Sequence, residues 1–436
     1  MNLLHLNDAP GAYPPSLYAA QAGPQPDLPP LQGDQRTDVA VIGAGYTGLS
    51  AALHLARQGL SVTVLEAQRV GFGASGRNGG QIGSGQRQEV DWLEAQLGRD
   101  MARRLWDLAE EAKSLTRALA AESGVPVRFG IAHACRTDPE IAHARHMADH
   151  LARNYGYDKV RPLDREGLAQ AIGSSAYAGG DVDMGAGHVQ PLELGLGMSR
   201  LARDAGAVIH ERSEVTGIDH APHAGQDSTV RTAQGSLRAR HVILAANGYL
   251  GGLDGHVAAR VMPINNYIVA TRPLGDDFPE ILPDRFAVAD TKFVVNYWRL
   301  DHERRLVFGG GETVTYRFPK DIFATVRPHL LSVYPQLEGV ELTHAWGGTL
   351  AITMNRMPCF ARPAANCLSA SGFSGHGVAM ATLAGRLMAE AVAGQAGRFD
   401  AMAAVPTRAF PGGALLRGPL LVAGMAWYGL RDRLGF

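Results

Sequence analysis

Residues 37–66 read TDVAVIGAGYTGLSAALHLARQGLSVTVLE. A β-branched run, Thr37–Ile42, leads straight into Gly43-Ala-Gly45-Tyr-Thr-Gly48. Leu49, Ala52, Leu53 and Ala56 then recur at helical spacing, Gly59 stops the helix, and SVTVLE (61–66) is a second strand. Each glycine has a mechanical task. Gly43 permits the tight turn, Gly45 lets a pyrophosphate approach the backbone, and Gly48 lets helix pack on strand. Tyr46 and Thr47 open the helix, whose free N–H groups and positive dipole end suit phosphates. Glu66 ends the second strand, where a carboxylate accepts ribose hydroxyls and repels a 2′-phosphate. Strand, turn, helix, strand and acid in register predict a Rossmann-type dinucleotide-binding unit. A glycine turn that binds nothing leaves Glu66 unexplained.

The fingerprint alone leaves NAD and FAD open; the next segment favours FAD. Gly71-Phe-Gly-Ala-Ser-Gly-Arg-Asn-Gly-Gly-Gln81 is long, small and polar, suited to an extended ligand, or else a mobile surface loop. Within it Ala74, Gly79, Gly80 and Gln81 offer backbone, and Ser75, Arg77 and Asn78 offer donors. Near the other end, Ser371-Gly-Phe-Ser-Gly-His-Gly377 precedes an apolar helix, Val378–Val392. Gly372, Ser374, Gly375, His376 and Gly377 would aim N–H groups and a positive dipole at a flavin edge that gains negative charge on reduction. His376 is equally readable as a satisfied structural histidine.

The 436 residues suffice for two domains. Forty-one basic residues balance 42 acidic ones, which excludes a nucleic-acid or acidic-membrane partner as an expectation. Three scattered cysteines (Cys135, Cys359, Cys367) form no CxxC, so neither a disulfide framework nor a metal site is expected. Met1–Pro10 lacks the features of a signal peptide, and Gly418–Leu430 is too short for a bilayer span. A cytoplasmic location follows as the expectation. The predicted fold class is α/β (α+β, two-domain): a Rossmann-type FAD-binding domain interleaved with a mixed or antiparallel β-sheet substrate domain. Residues 1–35 form an arm over the surface; 36–88, 183–258 and 342–405 form the FAD domain; 89–182 and 259–341 form the substrate domain; 406–436 form a tail. Tyr267, Tyr297, Trp298 and Arg299 in the strand-rich region offer aromatic faces and a cation to a substrate cleft, with core packing as the alternative for each.

These segments resemble the glycine oxidase/sarcosine oxidase/D-amino-acid oxidase family of FAD enzymes over residues 36–395. The resemblance rests on the fingerprint, on Gly-His-Val-Gln-Pro at 187–191, and on Gly372-Phe-Ser-Gly-His-Gly377. GFGASGRNGGQI (71–82), WGGTLAITMNRMP (346–358), FPGG (410–413) and LRDRLG (430–435) are most similar to the γ-glutamylputrescine oxidases. The resemblance implies oxidation of an amine to an imine, which hydrolyses to an aldehyde, with oxygen as electron acceptor. It implies that Val215 meets adenine and that Ala246 and Gly248 close the nucleotide site. Sarcosine-type members place carboxylate-binding cations where this chain has Gln81 and Ala379, which disfavours small α-amino acids. They attach FAD to a Cys in the segment matching 348–353, absent here, so the FAD is expected to be noncovalent. Their oxygen-activating Lys matches about Val307, which leaves oxygen use open. Hydride transfer from a neutral amine calls for positioning groups rather than a triad; the candidates are His376, Tyr297, Arg299 and Gln81. Arg299 and Arg356 are candidates for a distal carboxylate. Three readings stay open: an amine oxidase, a dehydrogenase using another acceptor, and an NAD-binding redox sensor.

Overall fold

In the computed structural model, residues 2–413 apart from 224 and 314 are described. The apolar segment Gly418–Leu430 and LRDRLG (430–435) lie outside them. The β-branched run forms the end of strand Gly33–Ile42, with Val39 and Val41 fully buried. It pairs in parallel with Val62–Leu65 on one side and Gly235–Leu244 on the other. Val208–His210 extends the sheet beyond Val62–Leu65, and Cys367–Ser371 and Cys359–Ala364 extend it the other way. Helix Tyr46–Arg57 and helix Gly377–Val392 pack face to face on this sheet. Gly385 makes the contact close, since a Cβ there would lie 2.2 Å from the Thr47 carbonyl oxygen. Both helices are apolar on nearly every side and belong to one core.

The second sheet has nine strands and is mostly antiparallel. Its path runs Leu342–Ile352, Met262–Pro273, Arg305–Thr313, Tyr297–Leu300, Ala287–Asp290, Arg128–Cys135, Gly179–His188 and Gln81–Ile82. Trp298, Phe308 and Tyr334 form its core with helix Ile322–Val333. The mixed α/β fold with two sheets is therefore as read from the sequence, but several expected boundaries move. Leu342–Ile352 is hydrogen-bonded along Met262–Pro273 and so belongs to the second sheet, not the first. Gly179–His188 lies in that sheet throughout, so position 183 divides nothing. Residues 89–122 form two helices, Val90–Leu97 and Arg99–Glu122, broken at Gly98 where φ is 81°. Their apolar side packs into the dinucleotide core, because Leu105, Ala109 and Ala112 face the Rossmann helices rather than the second sheet.

The N-terminal arm is more than a surface strap. Leu17, Tyr18 and Leu31 are buried, and each leucine contributes about 1.5–3 kcal/mol by leaving water. Residues 33–35 already belong to the central strand. Among the described residues no helix is long and apolar enough to cross a membrane.

Candidate active site

The crevice at the carboxyl end of Gly33–Ile42 is built by the fingerprint glycines. Gly43 turns the chain at φ 104° with its α-carbon against Ala245, where a Cβ would sit 2.8 Å from the carbonyl oxygen. At Gly48 a Cβ would lie 1.9 Å from the Gly43 oxygen. Helix Tyr46–Arg57 starts at this turn, and the Tyr46 N–H donates to Ser75 Oγ at 3.0 Å, which brings Ser75 to the helix N-terminus. Thr47 lines the same crevice, and the Tyr46 hydroxyl is spent on the Pro191 carbonyl at 2.8 Å. Glu66 is buried, with one carboxylate oxygen accepting from Ala44 N–H (2.7 Å) and the other from Gln68 N–H (2.9 Å). Burial, reinforced by the charge of Glu211, raises its pKa to about 7 despite those donors. Val215 and Ala246 line the crevice; Gly248 instead packs under Leu350.

The Gly-rich segment crosses from the first sheet to the second. Gly79 and Gly80 allow contact too close for any side chain: a Cβ on Gly80 would lie 2.0 Å from the Val189 oxygen. Ala74, Ser75, Arg77 and Asn78 all line the cavity, and the last two also hold the loop. Arg77 donates to the carbonyls of Phe72 and Gly347 and pairs with Asp8 of the N-terminal arm at 2.9 Å. Asn78 folds back on Ala74, Ser75 and Gly80. Both side chains shape the loop, and Arg77 ties the arm to it. Gln81 lines the cavity while its amide donates to the Val288 carbonyl at 2.8 Å.

Opposite stands the turn before helix Gly377–Val392. Gly372 (φ 74°) is locked by Thr353, and its N–H donates to Asn247 Oδ1 at 2.9 Å. Ser374, Gly375, His376 and Gly377 line the cavity, and space is open where a Cβ of Gly375 would point. His376 Nε2 donates to the Gly85 carbonyl at 2.9 Å, and burial lowers its pKa to about 4. The ring is therefore neutral at pH 7, with its donor already used.

One cavity of about 1520 Å³ runs from Glu66 past this turn into a chamber beneath the second sheet. Tyr297 lines it, its ring filling the space left by Gly79 and Gly309. Arg299 does not. It is buried, donating to the Gly79 carbonyl at 3.0 Å and to the Tyr18 hydroxyl at 3.3 Å, behind the Gly-rich loop. Trp298 stacks on Phe308 and donates to Tyr334, and Tyr267 bonds Thr313 Oγ1, so both serve the core. Ala379 and Val307 are buried in apolar clusters away from the cavity lining, and Cys359 faces Thr407.

Apart from Arg356, the chamber holds groups that residue patterns did not single out. His133 and Asp181 meet across antiparallel strands at 2.7 Å. Asp183, on the same face as Asp181, accepts from Ser84 Oγ and from the Tyr157 hydroxyl. Buried Lys113 stands behind them, donating to Ser84 Oγ at 2.6 Å and pairing with Glu110 at 2.8 Å. Arg87 anchors its Nε on the Ser374 carbonyl at 3.0 Å, and Arg356 lies over the Phe293 ring at 4.5 Å. Burial, with the charge of Arg356, holds Arg87 down at about 10. The period-two acids of GGDVDMG (179–185) were the available signal for the acids; Arg356 is the expected distal-carboxylate candidate and does line the chamber, whereas Arg87 carried no signal.

A family model described as FAD dependent oxidoreductase (DAO) matches residues 38–391. The chain belongs to that family. It is 39% identical over 424 residues to the gamma-glutamylputrescine oxidoreductase of Escherichia coli (strain K12), covering 96% of this chain and 98% of that one. It is 40% identical over 423 residues to the probable oxidoreductase OrdL of Rhizobium meliloti (strain 1021), with 96% and 97% covered. The crystal structure of glycine oxidase from Geobacillus kaustophilus shares the fold, with TM-score 0.68 at 21% identity over 83% of this chain and 95% of that one.

The protein is thus an FAD-dependent oxidoreductase, and its residues fit the cofactor. The glycine cradle admits backbone-close phosphates, and Glu66 lies in the crevice wall with a lone pair remaining on each oxygen. FAD would supply the hydride acceptor; the chain would supply the N-terminal turn of helix Tyr46–Arg57 and the turn at 372–377. A consequence follows for Glu66. Ribose hydroxyls donate to the ionised carboxylate, so binding favours proton loss from a group whose pKa in the protein without FAD is about 7. FAD affinity should be greatest above pH 7 and fall about tenfold per unit below it. Acid precipitation should leave all the yellow colour in the supernatant. Glu66→Gln should flatten the pH dependence; a slope that persists in this variant, or colour retained in the pellet, would contradict the assignment.

Proposed function

We propose that this enzyme oxidises the amine of a substrate that also carries a carboxylate away from the reacting carbon, with γ-glutamylputrescine the leading candidate. The observation that carries it is the charge pattern of the chamber. Asp181 and Asp183 give one wall of the chamber negative charge behind His133 and Ser84, as a cationic amine requires, while Arg87 and Arg356 line it elsewhere, as a carboxylate requires. The neutral Gln81 stands on the wall where sarcosine-type relatives hold an α-carboxylate. Hydride leaves the carbon beside the nitrogen, the imine hydrolyses to an aldehyde, and oxygen takes the electrons to give hydrogen peroxide. The resemblance to the E. coli gamma-glutamylputrescine oxidoreductase supports the same substrate. Three unpaired, buried cysteines support a cytoplasmic setting.

The test is kcat/KM for γ-glutamylputrescine, putrescine, sarcosine and glycine, with peroxide measured in air and reoxidation compared with an artificial acceptor. γ-Glutamylputrescine should lead. Sarcosine or glycine as best substrate would overturn the reading. Reoxidation that is slow in air but fast with the artificial acceptor would make the protein a dehydrogenase.

A further inference from the structure

Amines with ordinary basicity enter as ammonium ions, whose nitrogen lone pair is tied up in an N–H bond. Hydride can leave the adjacent carbon only when that lone pair is free. A group at the reacting amine that takes the proton would meet this need, and the second sheet presents one. His133 sits on strand Arg128–Cys135 with its Nδ1 hydrogen-bonded to Asp181 Oδ1 at 2.7 Å. That bond fixes the ring and the tautomer, leaving Nε2 turned to the cavity, where 46% of the side-chain surface is open. Asp181 itself is 8% exposed, so the carboxylate is shielded while the imidazole is presented. The wall is continuous with the flavin-side turn: Gly83 abuts the His376 ring, and its neighbour Ser84 bonds Asp183.

We infer that the His133–Asp181 dyad accepts the proton of the substrate ammonium ahead of oxidation. The inference rests on the amine reading above. The N–H bond of R–CH₂–NH₃⁺ breaks, its electron pair stays on nitrogen, and the proton bonds to Nε2. Neutral R–CH₂–NH₂ and an imidazolium beside Asp181 result, with nothing oxidised or reduced in this step. The surroundings suit it. Burial alone would lower the pKa of His133, but the charges of Asp181, Asp183 and Glu89 outweigh it and raise it to about 9, close to that of an alkyl ammonium. Glu140 and His143 face the chamber from helix Asp138–His150, and Arg87 and neutral His376 from across it. Asp290 on the adjacent strand also lines the chamber, its carboxylate held by Tyr177 and Asn296.

The experiment is the pH profile of kcat/KM from pH 6 to 10 for the best amine, in the FAD-loaded wild type, His133→Gln and Asp181→Asn, with FAD content checked by absorbance. In the wild type kcat/KM should climb about tenfold per unit to a plateau near pH 9. Asp181→Asn should move that limb down toward the ordinary imidazole value of about 6.5. His133→Gln should lower kcat/KM about 10²-fold at pH 9 and much less at pH 6, where the dyad is protonated anyway. A simple packing defect would lower all pH values alike. An unchanged limb in both variants overturns the dyad while leaving amine oxidation standing. A wild type that oxidises no amine at any pH overturns the amine reading and the dyad with it.

Discussion

Gly48→Ala is expected to give a protein with little bound FAD and a lower melting temperature. The added methyl would sit 1.9 Å from the Gly43 carbonyl oxygen and 3.1 Å from both the Gly43 carbon and a Val41 methyl. Nothing in that set is the free end of a flexible side chain. The Gly43 turn must move, and with it the backbone N–H groups that meet the pyrophosphate. Overpacking of this kind costs about 1–3 kcal/mol, which corresponds to roughly 5- to 150-fold in FAD affinity if it is borne by the bound state alone. The matched control is Gly217→Ala, where a Cβ has open space and the backbone is not in the left-handed region. Measuring the flavin-to-protein absorbance ratio and the Tm of both decides the matter. A Gly48→Ala protein with wild-type FAD content and Tm would mean the turn does not carry the cofactor.

The dinucleotide crevice was legible in the sequence because each of its parts is local. Thirty contiguous residues fix the turn, the helix and the acid, and Glu66 falls where the pattern puts it. The chamber was legible only in outline. Tyr297 and Arg299 are two apart on one strand and share a face, so the sequence offers no reason to separate them. Tyr18 separates them: the arm brings its hydroxyl to Arg299, and the loop carbonyl of Gly79 completes the capture. Arg77 lines the cavity as expected, but the arm also reaches it, through Asp8. The misplacement of Arg299 arises because residues 1–35 show no periodicity, so their burial under the loop leaves no trace in the pattern. His133 and Asp181 lie 48 positions apart and become partners only through the antiparallel register of their strands. Such a pairing is a long-range fact. The period-two acids at 181 and 183 carry the pattern of a polar sheet face but not the identity of its partner.

Arg356→Met is expected to lower kcat/KM for γ-glutamylputrescine by roughly 10- to 150-fold while changing that for putrescine by less than about twofold. A charge-assisted contact between guanidinium and carboxylate is worth about 1.5–3 kcal/mol, and putrescine has no carboxylate to lose it. Arg356 lines the cavity over the Phe293 ring, and Arg87 lies near enough for the charge of the first to lower the pKa of the second. Two like charges held together in a largely buried wall repel each other, and an incoming carboxylate relieves that repulsion as it pairs with both. Arg87→Lys keeps a charge but loses the fork and the anchor on the Ser374 carbonyl, so its discrimination should lie between wild type and Arg356→Met. The comparison is made at one pH with FAD saturating, as a cycle of two enzymes against two substrates. If Arg356→Met weakens both substrates equally, the arginine supports the shape of the turn and the carboxylate is held elsewhere. If neither substrate is affected, the distal carboxylate does not reach this wall, and the chamber's acids alone account for amine recognition.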